Sequence, residues 1–256
     1  MSQSSLVEKH RNLMYHENRK SLNWFVGCRH NCVYCKPSFQ AQMKRQLHNC
    51  KSCYLFEPHA HLERLQKAPP KTNDGEFIFF PSSGDPTFAS KEQWKEAIQF
   101  AKKYWNRTLL IQSKDPACFI LHDFPKLNPC YPENVILGTT METDTSYFSG
   151  TPSKFESYSQ ISEAPEPYWR YVAMIKVVHC RKEVTIEPIL QFGKLFARMI
   201  REINPEFVYV GYDNHNCRLP EPSLADTKAL IKQLETFTEV RLKTIRPAWW
   251  EKLKES

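Results

Sequence analysis

Six short apolar runs recur along the chain. They are LNWFV at 22–26, EFIFF at 76–80, TLLIQ at 108–112, NVILG at 134–138, EVTIE at 183–187 and EFVYV at 206–210. Each run is brief, rich in β-branched or aromatic residues and almost continuously hydrophobic, as the buried strands of a parallel sheet are. The pattern therefore predicts six buried strands.

Longer amphipathic stretches lie between most of these runs. Ser90 and Gln93 have capping-box spacing ahead of a stretch that reaches about Tyr104 with its apolar positions on one face. Similar patterns predict helices near 168–180, 190–203 and 222–236, and the Ser-, Thr- and Pro-rich stretch 143–167 predicts a long loop. Strands alternating with helices predict an α/β fold, either an open doubly wound sheet or a full or partial (β/α) barrel.

Composition and charge narrow the class of protein. A chain of 256 residues with 41% hydrophobic and 25% charged residues is typical of one globular domain with a sizeable core. The polar start has no apolar signal-peptide core and no later run could span a bilayer, so we expect a cytoplasmic protein without membrane contact. The net charge of +7 allows a nucleic-acid partner, although no basic run dominates and a solvated surface explains the excess more simply.

The cysteines carry the most specific signal. There are nine, unevenly spaced, so metal binding or catalysis is a better explanation than a disulfide framework. Cys28, Cys32 and Cys35 follow the first predicted strand with C-x3-C-x2-C spacing. Three thiolates leave one position of a metal centre open to a small molecule. Gly27 lets the loop turn, and Tyr34 offers an aromatic face to a planar group.

The segment GCRHNCVYC resembles the hallmark of the radical S-adenosylmethionine (radical SAM) enzymes, C-x3-C-x-aromatic-C after the first strand of a partial (β/α)6 barrel. The resemblance implies that Cys28, Cys32 and Cys35 hold a [4Fe–4S] cluster whose open iron binds SAM, with Tyr34 near the adenine. It also implies reductive cleavage of SAM to a 5′-deoxyadenosyl radical, hydrogen abstraction from an unknown substrate, and an electron donor of the flavodoxin or ferredoxin type. The longer segment LNWFVGCRHNCVYC looks like the subgroup of spore photoproduct lyase and its uncharacterised relatives, which makes nucleic acid one candidate substrate.

A second segment, FIFFPSSGDPTF, is similar to the G-G-E-like segment with which that family binds the methionine amino group of SAM. The resemblance implies that Ser83, Gly84 and Asp85 fill this role, with aspartate in place of the usual glutamate. Glycine would let the backbone approach the ligand, and a carboxylate can accept a hydrogen bond from an ammonium group. The same residues are also ordinary turn formers.

Other candidate residues follow the later strands, because ligand-binding residues of parallel barrels cluster at the carboxyl ends of the strands. They are Lys114 and Asp115, then Thr139, Thr140 and Glu142 as candidates for contact with the SAM ribose or carboxylate, then Glu187, and finally Asp213 and Asn214. Each could equally be a turn former or a helix cap.

A second cysteine group combines Cys50 and Cys53 with His59 and His61, which places four candidate ligands within twelve residues. It predicts a second metal site, for zinc or an auxiliary cluster; a substrate-contacting insertion and a packed helix with inert thiols are the alternatives. The remaining cysteines, Cys118, Cys130, Cys180 and Cys217, are solitary and structural by default. Cys217 is the candidate catalytic residue, because it is expected near the barrel mouth, where a thiol could quench a substrate radical or bind a cluster.

The predicted architecture is a single radical SAM domain over 1–256, an α/β partial (β/α)6 TIM-type barrel. Its barrel core spans 20–216, a Cys/His-containing insertion at 40–70 follows the first strand, and a closing segment occupies 217–256. In that segment Arg241, Lys243 and Arg246 alternate with tryptophans, which could bind phosphates and stack bases or could simply close the barrel. The alternative function is a non-catalytic zinc-binding module that binds nucleic acid.

Overall fold

A curled six-stranded parallel sheet organises the molecule. The computed structural model describes residues 20–121 and 131–251. The sheet strands follow one another in chain order: β3 Ile78–Phe79, β4 Leu109–Gln112, β5 Val135–Thr140, β6 Arg181–Ile186, β7 Phe207–Val210 and β8 Glu239–Leu242. A separate antiparallel pair joins β1 Phe25–Val26 to β2 His59–Ala60. The fold is therefore α/β with a half-barrel sheet, as predicted.

The larger helices lie between successive strands of the sheet. They are α3 Lys91–Lys103, α5 Pro167–Lys176, α6 Phe196–Ile203 and α7 Leu224–Leu234, with the short α4 Cys118–Leu121 after β4. Between β1 and β3 the chain forms α1 Ala41–Met43 and α2 Lys51–Leu55, a π-helical turn at Lys36–Gln40, and 3-10 turns at Val33–Cys35, Lys44–Gln46 and Leu62–Gln66. Two further 3-10 turns occur at Pro86–Phe88 and Tyr158–Gln160.

Alternation along the strands separates the two faces of the sheet. Val135 and Leu137 of β5 belong to the large core that also contains the apolar faces of the helices. Ile136 between them belongs to a smaller cluster on the other face, together with Leu110 and Tyr209. The concave side of the half-barrel is thus filled by side chains at its amino-terminal end, which leaves its carboxyl-terminal end for a site.

The strands differ from the predicted set in two places. The first run contributes only β1, which pairs with β2. Isolated bridges beside it join Ser21 to Phe79 of β3 and Gly27 to Gly84. The sixth strand of the sheet is β8, which lies in the segment predicted to close the barrel and pairs with β7. The parallel sheet therefore extends beyond the predicted core of 20–216.

The helix predictions are accurate at Ser90, whose capping box with Gln93 is present, and least accurate near 190–203. There the helix begins only at Phe196. The chain before it forms a loop, in which the Leu190 N–H donates to the Glu142 carbonyl and the Gln191 N–H to the Pro220 carbonyl.

Some predictions fall on residues outside the described ranges, and others stay untested. The polar start at 1–19 and Cys130 lie outside the described ranges. Residues 40–70 contain α1, α2 and β2, but their status as an insertion stays a prediction. Among the described helices, none combines the length and apolarity needed to cross a bilayer.

Candidate functional site

The three motif cysteines line one cavity of about 410 Å³ at the carboxyl end of the sheet. Six residues predicted to bind a cofactor line the same cavity, namely Tyr34, Ser83, Gly84, Asp85, Thr140 and Glu187. Lys114, Asp213 and Asn214 also reach its wall, whereas Glu142 and Cys217 do not line it. The fold thus brings together residues predicted from separate strand ends, and their binding of a cofactor stays a prediction.

The cysteine loop enters the cavity through Gly27, which has a φ of +95°. A Cβ at this position would lie 2.2 Å from the carbonyl oxygen of Glu57. On the other side, the Gly27 N–H donates to the Ser83 carbonyl at 3.0 Å, and the Asp85 N–H donates to the Gly27 carbonyl at 3.0 Å. Gly84 is also crowded, since a Cβ there would lie 2.8 Å from the Cα of Val26. Both glycines permit close backbone contacts that fix the start of the loop.

The three sulfur atoms differ in their surroundings. Cys32 is buried, and its sulfur lies 3.0 Å from the Ser162 hydroxyl. A hydrogen bond between Cys35 and Cys32 lowers the pKa of the Cys32 thiol and raises the pKa of the Cys35 thiol. The Cys28 sulfur accepts the His30 N–H at 3.4 Å, while burial and the charge of Asp85 raise the pKa of Cys28.

This donor set fits a soft metal centre with one open position. Thiols are the ligands that iron–sulfur clusters use, and N–H donation to the sulfur of Cys28 is typical of such sites. His30, the histidine within the loop, directs its Nε2 to the Asp85 carboxylate at 3.0 Å, and the ligand atoms of Cys28, His30 and Asp85 lie within 4.8 Å of one another. Three sulfur ligands leave one position for a ligand from the cavity.

The buried side chain of Asp85 fixes the cysteine loop through hydrogen bonds. Its carboxylate accepts hydrogen bonds from the Ser113 hydroxyl at 2.6 Å, the Lys114 N–H at 2.8 Å and the Thr87 N–H at 3.0 Å, in addition to the contact with His30. Burial alone would raise the pKa of Asp85, but these partners, chiefly His30, hold it below its usual range. Protein groups thus occupy both carboxylate oxygens, so Asp85 positions His30 and the cysteine loop. Its contact with a SAM ammonium group stays a prediction.

Glu142 forms the centre of a buried charge network. It is fully buried and pairs with Arg170 at 2.8 Å and with Lys114 at 2.5 Å. It also accepts hydrogen bonds from the hydroxyls of Tyr34 at 2.5 Å and Tyr158 at 3.1 Å. Burial would raise the pKa of Glu142, but the two cations lower it to about 2. Glu142 therefore anchors Tyr34 and Lys114, the members of the network that reach the cavity, and its predicted contact with SAM stays a prediction.

A second polar group lies at the end of β6 and beyond β7. The Glu187 carboxylate pairs with Lys243, which follows β8, and accepts a hydrogen bond from Asn214 at 3.3 Å. Asp213 accepts the Cys217 N–H at 2.6 Å. Cys217 packs against the small apolar cluster that contains Cys32 and Tyr34. Burial raises the pKa of Cys217 to about 12, which keeps the sulfur protonated at neutral pH.

Glu183 is a buried carboxyl on the concave face beneath the cavity. Its partners include the Thr185 hydroxyl at 2.5 Å and the Gln112 amide at 3.3 Å. Burial raises the pKa of Glu183 to about 8, opposite in direction to the shift at Glu142. The difference follows from the partners, since Glu142 is bonded to two cations and the hydrogen bonds to Glu183 come from neutral groups.

The candidate ligand atoms of the second cysteine group also lie close together. The ligand atoms of Cys50, Cys53, His59 and His61 all lie within 4.8 Å of one another. This group lies outside the residues that line the cavity. The four residues could hold a metal ion, as predicted from their spacing.

Three basic residues of the closing segment, Arg241, Lys243 and Arg246, are paired within the protein. Arg241 contacts Glu239 at 2.8 Å, Arg246 contacts Glu221 at 2.7 Å, and Lys243 contacts Glu187. The Trp249 indole N–H donates to the Leu219 carbonyl at 2.7 Å. These contacts favour the interpretation of this segment as a structural closure over that of a phosphate-binding surface.

Sequence reasoning missed the residues that support the site. Arg170 carried a detectable signal, because it is a charged residue on the same helical face as the buried Ala173 and Met174. His30 lies within the motif, but nothing in the sequence reveals its contact with Asp85. Ser113, Ser162 and Tyr158 gave no signal, since hydroxyl residues are common in turns and helix starts.

Comparison with known proteins adds little. No protein-family profile and no curated protein matches the chain. Among solved structures, the chain is similar to native anSMEcpe with bound AdoMet and Cp18Cys peptide, at 14% identity and a TM-score of 0.38. The match covers 87% of this chain and 62% of that one. A likeness this distant decides neither fold nor function.

Proposed function

We propose that this protein is a radical SAM enzyme, with Cys28, Cys32 and Cys35 as the ligands of a [4Fe–4S] cluster. The observation that supports the proposal is the convergence of all three cysteines with the strand-end polar residues on one cavity. When bound, the cluster would supply one electron to the SAM sulfonium, which gives methionine and a 5′-deoxyadenosyl radical that takes a hydrogen atom from the substrate.

The residues of the chain would bind and orient SAM and exclude water. Tyr34 is fixed through its hydroxyl by Glu142 and Lys114, so the face of its ring can serve as a stacking surface for the adenine. Thr140 and the Glu187–Lys243 pair offer hydroxyl, carboxylate and ammonium groups to the polar parts of the ligand. Cys217, a neutral thiol that packs against the cluster of Cys32 and Tyr34, stays the candidate hydrogen donor to a substrate radical.

The substrate and the electron donor are separate proposals. Nucleic acid is one candidate substrate, on the resemblance to the spore photoproduct lyase subgroup and the net charge of +7. The closing segment adds no support, because Arg241 and Arg246 are engaged in internal contacts. A flavodoxin or ferredoxin would supply the electron.

The test is anaerobic reconstitution with iron and sulfide, followed by reduction with SAM present and quantification of 5′-deoxyadenosine. We expect the wild type to form it and Cys32→Ala to lose both the cluster absorbance and the product. Cys180→Ala is the matched control, since Cys180 belongs to neither metal-binding group, and it should retain both. A wild type that binds no iron and sulfide, or cleaves SAM equally well without Cys32, would contradict the proposal.

A zinc-binding nucleic-acid module is the second candidate, favoured only by the Cys50, Cys53, His59 and His61 group. It predicts zinc without sulfide in the whole protein and salt-sensitive DNA or RNA binding that does not depend on SAM. The same reconstitution experiment separates the two candidates.

A further inference from the structure

The group of Cys50, Cys53, His59 and His61 has the internal distances of a mononuclear site. The Cys53 sulfur lies 3.4 Å from the His59 Nε2 and 3.2 Å from the His61 Nε2. The Cys50 sulfur lies 3.5 Å from the His59 Nε2, and the two Nε2 atoms lie 2.9 Å apart. Around one tetrahedral zinc ion, bond lengths of about 2.0–2.1 Å to nitrogen and about 2.3 Å to sulfur give sulfur–nitrogen separations of about 3.6 Å and nitrogen–nitrogen separations of about 3.3 Å. The group is therefore already close to the size that one ion requires.

The hydrogen bonds on the far side of each imidazole select the ligand tautomer. The His59 Nδ1 lies 2.7 Å from the Glu57 carbonyl oxygen, which can only accept, so Nδ1 carries the proton. The His61 Nδ1 lies 2.8 Å from the Glu63 carboxylate, which likewise accepts. In neutral imidazoles with these tautomers, both Nε2 atoms carry lone pairs, which face each other across 2.9 Å. A cation between them turns this repulsion into two bonds, and the outer hydrogen bonds are those that zinc-bound histidines normally have.

We propose that Cys50, Cys53, His59 and His61 bind one structural zinc ion. A two-iron cluster fits less well, because its cysteines bind one iron and its histidines the other, whereas here the Cys53 sulfur is close to both imidazoles. Four protein ligands fill the tetrahedral positions, and Cys53 is almost fully buried, so no position remains for a substrate. The proposal is independent of the proposed enzymatic function.

The site would fasten the segment that supports the cysteine loop. Cys50 caps α2 and accepts the Cys53 N–H, whereas His59 belongs to β2 and is paired in register with Val26 of β1. The chain between them passes the loop, because the Phe56 carbonyl accepts the Cys28 N–H at 3.4 Å. An ion that joins α2 to β2 therefore fixes the backbone against which Gly27 and Cys28 pack.

The test uses the full chain with Cys28, Cys32 and Cys35 all changed to alanine, which removes the other thiol group. We expect this variant to bind one zinc per chain and, with Co²⁺ as the probe, to show tetrahedral ligand-field bands and thiolate-to-cobalt charge transfer that added Zn²⁺ abolishes. Adding Cys53→Ala or His61→Ala should remove the stoichiometric zinc, whereas Cys180→Ala and His48→Ala, whose side chains lie outside the group, should leave it unchanged.

The cobalt spectrum of the triple variant reports ligand identity directly, so the result does not depend on how well the zinc-site variants fold. Absence of zinc from the triple variant, an octahedral cobalt spectrum without thiolate charge transfer, or iron with sulfide bound at these four residues would overturn the proposal. Loss of SAM cleavage in the triple variant bears only on the enzymatic function.

Discussion

The loop of Cys28, Cys32 and Cys35 presents its sulfurs to a cavity, whereas the group of Cys50, Cys53, His59 and His61 presents its ligand atoms to one another. The two groups touch through the backbone of Gly27 and Glu57. Their supports differ as well. Behind the cysteine loop lie Asp85 and the fully buried Glu142, both saturated with hydrogen bonds, while the histidines of the second group rest on a carbonyl and on a Glu63 side chain that is 63% exposed.

The difference has a physical reason. A closed four-ligand site draws its rigidity from the metal ion, since each bond constrains the segments that supply the ligands. A site with an open position has one protein ligand fewer, because another molecule must bind there. The fold itself therefore has to fix the loop that carries the remaining ligands. Buried polar networks do this for the cysteine loop, and their cost in desolvation is met only while every partner is present.

Removal of the central carboxylate should be the most damaging change on the cysteine side. Glu142→Gln leaves Arg170 fully buried without its ionic partner, and breaking a buried pair costs about 3–5 kcal/mol. We expect the free energy of unfolding in urea to fall by that amount. Glu206→Gln, which breaks the exposed pair with Arg181, is the control and should cost less than about 1 kcal/mol.

The same variant has a pH signature. The pKa of Glu142 is about 2 in the folded protein against an ordinary value of 4.5, so its stabilisation is present above pH 4.5 and is lost as the pH falls toward 2. Glu142→Gln should show less acid destabilisation than the wild type in that window. Equal acid sensitivity of the two proteins would contradict the assigned network.

The buried network also marks the limit of prediction from sequence. Strands such as Leu109–Gln112 and Phe207–Val210 were predicted because continuous apolar runs have few other uses. The strand Glu239–Leu242 was not, because it is an edge strand with charged and exposed positions and has no such run. An edge strand pairs with only one neighbouring strand, so its sequence is weakly constrained.

In the candidate site, the sequence predicts groups whose residues are close together in the chain, but it does not predict pairs whose residues are far apart in it. The cysteine motif and the Cys50–His61 group are each local in sequence, so their convergence was predictable. Glu142 and Arg170 are 28 residues apart, and His30 and Asp85 are 55 apart. No pattern in one sequence joins such pairs, so the protein partners of Glu142 and Asp85 could not be predicted, and their contacts with a cofactor stay predictions.

Gly27→Ala should disturb both groups at once. Its Cβ would meet the Glu57 carbonyl at 2.2 Å, and its φ of +95° already disfavours alanine. We expect a loss of about 3 kcal/mol in unfolding free energy, the sum of backbone strain and overpacking. Gly75→Ala isolates the strain, since Gly75 has a φ of +79° but open space around it, and it should cost about 1 kcal/mol. Equal losses in urea unfolding would mean that the contact between the two groups is unimportant.

Glu183→Gln tests the contrast between Glu142, which is bonded directly to two cations, and Glu183, whose hydrogen bonds come from neutral groups. The pKa of Glu183 is raised to about 8, so the folded protein keeps a proton that the unfolded chain releases above its ordinary 4.5. Stability should therefore fall as the pH rises between those values, by about 2 kcal/mol from about pH 6 to about pH 7.5. The variant should lack this fall, and parallel pH profiles of the two proteins by urea unfolding would refute the assignment.

Glu63→Gln should have the smallest effect, and it tests the weaker support of the second group. The Glu63 carboxylate orients His61 from an exposed position, so its loss should change unfolding stability by less than about 0.5 kcal/mol. Such outer partners nevertheless tune metal affinity, and we expect zinc to bind about 10-fold more weakly in a competition titration with a chromogenic chelator. Glu57→Gln is the matched control, because His59 uses the backbone carbonyl of Glu57 and the carboxylate plays no part. If Glu57→Gln weakened zinc binding as much as Glu63→Gln, general surface charge would explain the result, and the proposed hydrogen bond to His61 would not.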